Sequence, residues 1–98
     1  MSSIRDIKSY ADLRDYVSPA AFTTAMNYLA WHNRLKMTAM LEPWKALVVA
    51  MACENQPLDK LQYFAVKTFC EESLDQPPDS VEGYRELGAR LERHLRGE

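Results

Sequence analysis

Ten consecutive positions, 44 to 53, hold one charged side chain, Lys45; the others are Trp44, Ala46, Leu47, Val48, Val49, Ala50, Met51, Ala52 and Cys53. A segment that is apolar on every side has no face to give to water, so it runs through the middle of whatever forms. The chain has 98 residues, which is one domain's worth, and everything else in it must therefore wrap this segment. Residues elsewhere do not supply strands to do the wrapping. No stretch alternates apolar and polar for six residues, β-branched side chains are few and scattered, and there are three glycines for turns. Helical spacing recurs instead. The predicted class is all-α: one domain over 1–98, a compact bundle of four to five helices around a central apolar helix at about 43–53.

Prolines and capping residues punctuate the bundle. Ser9, with Asp12 three residues on, starts a first short helix to about residue 17. Ser18-Pro19 puts serine at an N-cap and proline at the first helical position. The helix that follows is expected to run from Pro19 towards Met40. Phe22, Met26, Leu29, Met37 and Met40 form its main stripe, and Tyr28, Trp31 and Leu35 a second. Glu42-Pro43 breaks the chain before the central helix, because the residue before a proline avoids the α region. Glu54-Asn55-Gln56-Pro57 closes it. A fourth helix over 58 to about 74 is expected to turn Leu58, Leu61, Ala65 and Phe69 inward, with Phe64 beside them. Residues 75–80, with Pro77-Pro78, make a stiff connector to an amphipathic C-terminal helix at 81–96.

That last helix has the most unusual pattern. Tyr84, Leu87, Leu91 and Leu95 follow one another at intervals of 3, 4 and 4, a stripe as narrow as a coiled-coil seam. Glu86 and Arg90, and Glu92 and Arg96, stand four apart in the order that favours ion pairing. Gly88 lies beside the stripe. Glycine costs about 1 kcal/mol inside a helix, so its presence implies a close backbone neighbour. The stripe either folds back on its own bundle or docks on another chain, a second copy included.

Chemistry is constrained mostly by what is missing. His32, Cys53, Cys70 and His94 occur at no chelating interval, so no metal and no cofactor are expected. Two cysteines make no disulfide framework, and each behaves as a small apolar group. Catalytic and phosphate-binding signatures are absent, and Glu71-Glu72 diverge around a helix instead of sharing a proton. A net charge of −2 lacks the basic surplus of a phosphate reader. The central helix, the Glu54-Asn55-Gln56-Pro57 turn and the fourth helix could form a helix-turn-helix pair, but the turn has no glycine, and the second helix begins Leu58-Asp59-Lys60-Leu61. No apolar run of about 18 residues or apolar N-terminal leader is seen, so a cytoplasmic protein with no membrane span is expected.

The aromatic residues are numerous for this length and suit interfaces, because one end of a Tyr or Trp is apolar and the other hydrogen-bonds. Trp44 is expected in the core, and Tyr28 and Trp31 at the surface. The leading expectation is a small non-enzymatic protein–protein interaction module. It would be a regulator or inhibitor that occludes a partner protein, a profile shared with small accessory proteins of bacteria and their phages. Its contact residues are expected to be Tyr84, Leu87, Leu91, Leu95, Tyr28 and Trp31, with a homodimer through the C-terminal helix as one form. The alternatives are a helix-turn-helix nucleic-acid-binding regulator and a small helical enzyme or ligand-binding protein.

Overall fold

In the computed structural model, residues 7–35 and 39–97 are described. Side chains start each helix. The Asp12 carboxylate accepts the Ser9 amide at 3.1 Å and the Lys8 amide at 2.9 Å, opening a 3-10 turn at Tyr10–Asp15. The Ser18 hydroxyl accepts the Ala21 amide at 3.2 Å ahead of α1 (Pro19–Arg34). Pro43 stands at the first position of α2 (Pro43–Cys53). Asp59 accepts the Leu61 amide at 2.9 Å and opens a second 3-10 turn, Lys60–Gln62, which runs straight into α3 (Tyr63–Ser73). Ser80 accepts the Gly83 amide at 3.1 Å and starts α4 (Val81–Leu95). The class is all-α.

α2 is the centre. Every residue from Ala46 to Cys53 is buried. α4 covers one side of it, α1 another, and the first 3-10 turn a third, through the fully buried Leu13. α3 lies against α4. The radius of gyration is 12.2 Å, as expected for one packed unit of about 100 residues. Polar bonds close the ends. The Ser18 hydroxyl donates to Glu54 at 2.5 Å, tying the start of α1 to the end of α2. Buried Glu92 accepts from Asn55 at 3.4 Å and pairs with Arg96.

Several expectations are corrected. α1 stops at Arg34 and does not reach Met40, because Leu35 is extended and the chain folds back over the helix end. There the Asn33 side chain accepts the Leu41 amide at 3.3 Å, the Tyr10 hydroxyl donates to the Leu41 carbonyl at 2.6 Å, and Leu41 enters the core. Met37 lies outside the described residues, and Met40 is exposed. The inward face of α1 is Ala21, Ala25, Tyr28, Leu29 and His32, with Phe22 and Met26 only half-buried. Trp44 sits at the rim of the core, not within it, its indole N–H donating to Glu42 at 3.0 Å.

The C-terminal helix folds back on its own bundle. Val81, Tyr84 and Leu91 are buried, and Leu87 and Leu95 pack half-buried against the core. A dimer through that seam would need a surface already covered within the chain. Gly88 explains how. A Cβ built on it would lie 2.7 Å from the Met51 Cβ and 3.0 Å from the Ala52 nitrogen. Neither atom is the free end of a flexible side chain, so the helices would have to move apart. Alanine normally stabilises a helix interior relative to glycine by about 1 kcal/mol. Here Gly88→Ala is expected to do the reverse, with a net loss of about 1–2 kcal/mol and a thermal midpoint lower by about 4 °C or more. A thermal melt followed by circular dichroism checks the sign; an unchanged or higher midpoint would contradict this packing.

Candidate functional site

α1 and α3 meet through rings. On α1, Tyr28 and Trp31 are one turn apart, their centroids separated by 5.7 Å. On α3, Tyr63 stands edge-on to Tyr28 at 5.3 Å and 5.2 Å from Trp31. Phe64 then stands edge-on to Trp31 at 4.9 Å. Edge-to-face contacts of this kind hold rings beyond what their buried area does. The series runs from the interior outward: Tyr28 is 0% exposed, Tyr63 is buried, Trp31 is half-buried and Phe64 is 64% exposed. Leu61, in the 3-10 turn just before, is 93% exposed. Large apolar side chains this open, adjacent and held in place, mark an interaction surface more specifically than isolated surface leucines do.

Of the six expected contact residues, Trp31 alone reaches this face with part of its ring open. Tyr28 supports it from below and is no surface residue. Tyr84 and Leu91 are buried under α4, and Leu87 and Leu95 pack beside them. Leu61 was expected on the inner stripe with Phe64 beside it, and both point out. The cause is helical phase. A capped 3-10 turn at Asp59 leads into α3, and within that helix the inward line is Tyr63, Val66, Phe69, Cys70 and Leu74. Counting back from Leu74 in steps of 4, 4 and 3 finds that line in the sequence.

Other clusters offer less. His32, Cys53, Cys70 and His94 stand on four different helices, and among the described residues no three His, Cys, Asp or Glu side chains gather as metal ligands. His32 is buried with Nδ1 3.2 Å from the Asn33 side-chain oxygen, and it edges a small polar cleft shared with Lys45 and Glu71. The connector between α2 and α3 is longer than the 3–4-residue turn of a helix-turn-helix, and the leading turn of α3 presents Leu61 and Phe64. The exposed side of α4 mixes Arg85, Arg90 and Arg93 with Glu82 and Glu86, and Glu86 makes no ion pair with Arg90. Among the described residues no helix is long and apolar enough to cross a membrane.

No family model matches the chain, and neither does any curated protein or solved structure.

Burial sets the electrostatics of the titratable groups that lie inside. It raises the Tyr28 hydroxyl above its ordinary value, Cys70 and Glu71 adding to the effect. That hydroxyl has no hydrogen-bond partner among the described residues. Tyr28→Phe therefore removes an unsatisfied buried group and keeps the ring contacts. It is expected to raise stability by about 1 kcal/mol, or about 4–8 °C in thermal midpoint; a fall in midpoint would show that the hydroxyl is bonded.

Burial also pushes both thiols from the ordinary 9.0 up to about 12, with Glu54 adding to the rise at Cys53 and Lys45 opposing it at Cys70. Both are neutral near pH 7, where neither is a nucleophile. The folded chain then holds these protons more tightly than the unfolded chain. Their contribution to stability is complete below pH 9.0 and is lost as pH rises towards about 12. Urea titrations across that window should show stability falling with pH, with a shallower fall in Cys53→Ala/Cys70→Ala; parallel pH profiles would contradict the burial of the thiols.

Proposed function

We propose that this chain is a non-enzymatic protein–protein interaction module that docks on another protein through the face of Trp31, Leu61 and Phe64. In that role it acts as a regulator or inhibitor, by covering a surface of its partner. One observation carries the reading: Leu61 and Phe64 stand 93% and 64% exposed side by side, with Phe64 braced edge-on against Trp31. Fully burying such a side chain is worth roughly 1.5–3 kcal/mol, and folding leaves that unused at both positions. The bracing matters as much as the exposure. A ring already held in one orientation loses little freedom when a partner closes over it.

The alternatives draw less support. A nucleic-acid reader would present a single-sign basic face, and α4 presents a mixed one. An enzyme or ligand-binding bundle would present a closed pocket with converging polar groups. The only buried polar atom without a partner among the described residues is the Tyr28 hydroxyl, beneath the rings.

Leu61→Ser/Phe64→Ser tests the reading. Both side chains face solvent, so the doubly substituted protein is expected to keep the far-ultraviolet spectrum of the parent, with its thermal midpoint lowered only by the lost Phe64–Trp31 contact. Immobilised parent and variant are exposed to native cell extract, with Glu82→Ser as a control on α4, and retained proteins are quantified by mass spectrometry. A partner is expected to be retained by the parent and the control and reduced at least about tenfold on the variant, the loss typical of a central apolar contact. Equal retention by all three would remove this face from the function.

A further inference from the structure

Apart from the Asp59 carboxylate that caps the turn before it, the charges on α3 run against its own dipole. A helix favours anions at its N-terminal end and cations at its C-terminal end. Here Lys60 stands in the turn that leads into α3, while Glu71 and Glu72 occupy its last turn, all three exposed. Lys67 pairs with Glu71 at 2.8 Å and offsets part of this, but among the described residues Lys60 makes no ion pair. Phe64, Thr68 and Glu71 follow at helical intervals along one side, and Leu61 lies one turn before them. The exposed side of α3 therefore reads, from end to end, cation, two apolar side chains, anion.

That order is complementary to itself when reversed. Two such helices laid antiparallel about a two-fold axis between positions 65 and 66 put Lys60 of each opposite Glu71 of the other. The two Phe64 positions then lie near the axis, offset by about 4.5 Å along the helix direction, within range of ring–ring contact. A uniformly acidic partner would match Lys60 and repel Glu71, and a basic one the reverse. A second copy satisfies both ends at once and sets the two helix dipoles antiparallel.

We propose that the exposed side of α3 pairs with the same side of a second copy of this chain, in an antiparallel two-fold dimer centred on Phe64. The inference rests on the docking role of the Trp31, Leu61 and Phe64 face, and it names what covers that face in the isolated protein. Any other protein that binds there competes with the second copy. A contact one short helix long lies below the roughly 1,200 Å² of a standard interface, so the dimer is weak and concentration-dependent.

Sedimentation velocity on the full chain, from about 10 µM to about 1 mM, reads the association directly. The weight-average mass is expected to rise from the monomer value towards twice that value. Leu61→Ser/Phe64→Ser, folded by circular dichroism, is expected to stay monomeric throughout. Lys60→Glu is expected to weaken the dimer by about tenfold at low salt, because it sets like charges together at both ends. Lys60→Glu/Glu71→Lys is expected to restore it to within a few-fold of the parent. A parent that is monomeric at the highest concentration overturns the proposal, as does association that survives Leu61→Ser/Phe64→Ser or a charge swap that does not restore. A monomeric parent whose extract partner is still lost in Leu61→Ser/Phe64→Ser leaves the docking role standing and removes the second copy. A monomeric parent with unaffected retention removes both.

Discussion

The contact of Gly88 with the backbone of Met51 and Ala52 decides how this chain folds. α2 is apolar all the way round, so it forms only if something covers each side. α1 and the first 3-10 turn cover part of its circumference, and α4 must cover the rest. With a side chain at position 88 the helices could not close to this distance, since a Cβ there would stand 2.7 Å from that of Met51. The absence of one methyl group thus lets Tyr84 and Leu91 reach the core, with Leu87 and Leu95 packed beside them. It also turns a stripe with coiled-coil spacing into an ordinary internal contact.

The remaining elements follow from that closure. With α4 settled on α2, α3 packs against α4, and its Phe69 ring lies 5.6 Å from the His94 ring. Between α1 and α3 the gap is filled by Tyr28, Trp31 and Tyr63, and Phe64 extends the same series into solvent. Bulky rings hold these two helices together, whereas a glycine sets the approach of α4 to α2. The same rings that fill the seam also brace the residues left outside it.

Much of this was legible in the residues. The all-α class, the central helix at 43–53, the serine cap at position 18, and the close approach at Gly88 all follow from local chemistry: an apolar circumference, a hydroxyl ahead of a helix, a glycine where alanine would serve better. The outward exposure of Leu61 and Phe64 and the inward packing of the C-terminal stripe were not legible, for two reasons. The segment offers two apolar lines, 61, 65 and 69 on one side and 63, 66, 70 and 74 on the other, and spacing alone does not say which of them packs inward. The fate of the C-terminal stripe depends on tertiary closure. Its spacing fits a seam between chains and a seam within one chain equally well, and the steric reason for choosing lies on α2.

Exposure at Leu61 and Phe64 is not a by-product of packing. The inward line of α3 is complete without them: Tyr63, Val66, Phe69, Cys70 and Leu74 already reach the core. A serine or lysine at position 61 would cost the fold little, since a side chain at 93% exposure gains almost nothing from burial. The same holds for the charges around them, which would stabilise α3 better in the opposite order. Three independent choices on one short helix therefore run against the stability of the isolated chain. They are reconciled if the isolated chain is not the working form, and a surface that is unfavourable in water becomes favourable once another helix lies against it.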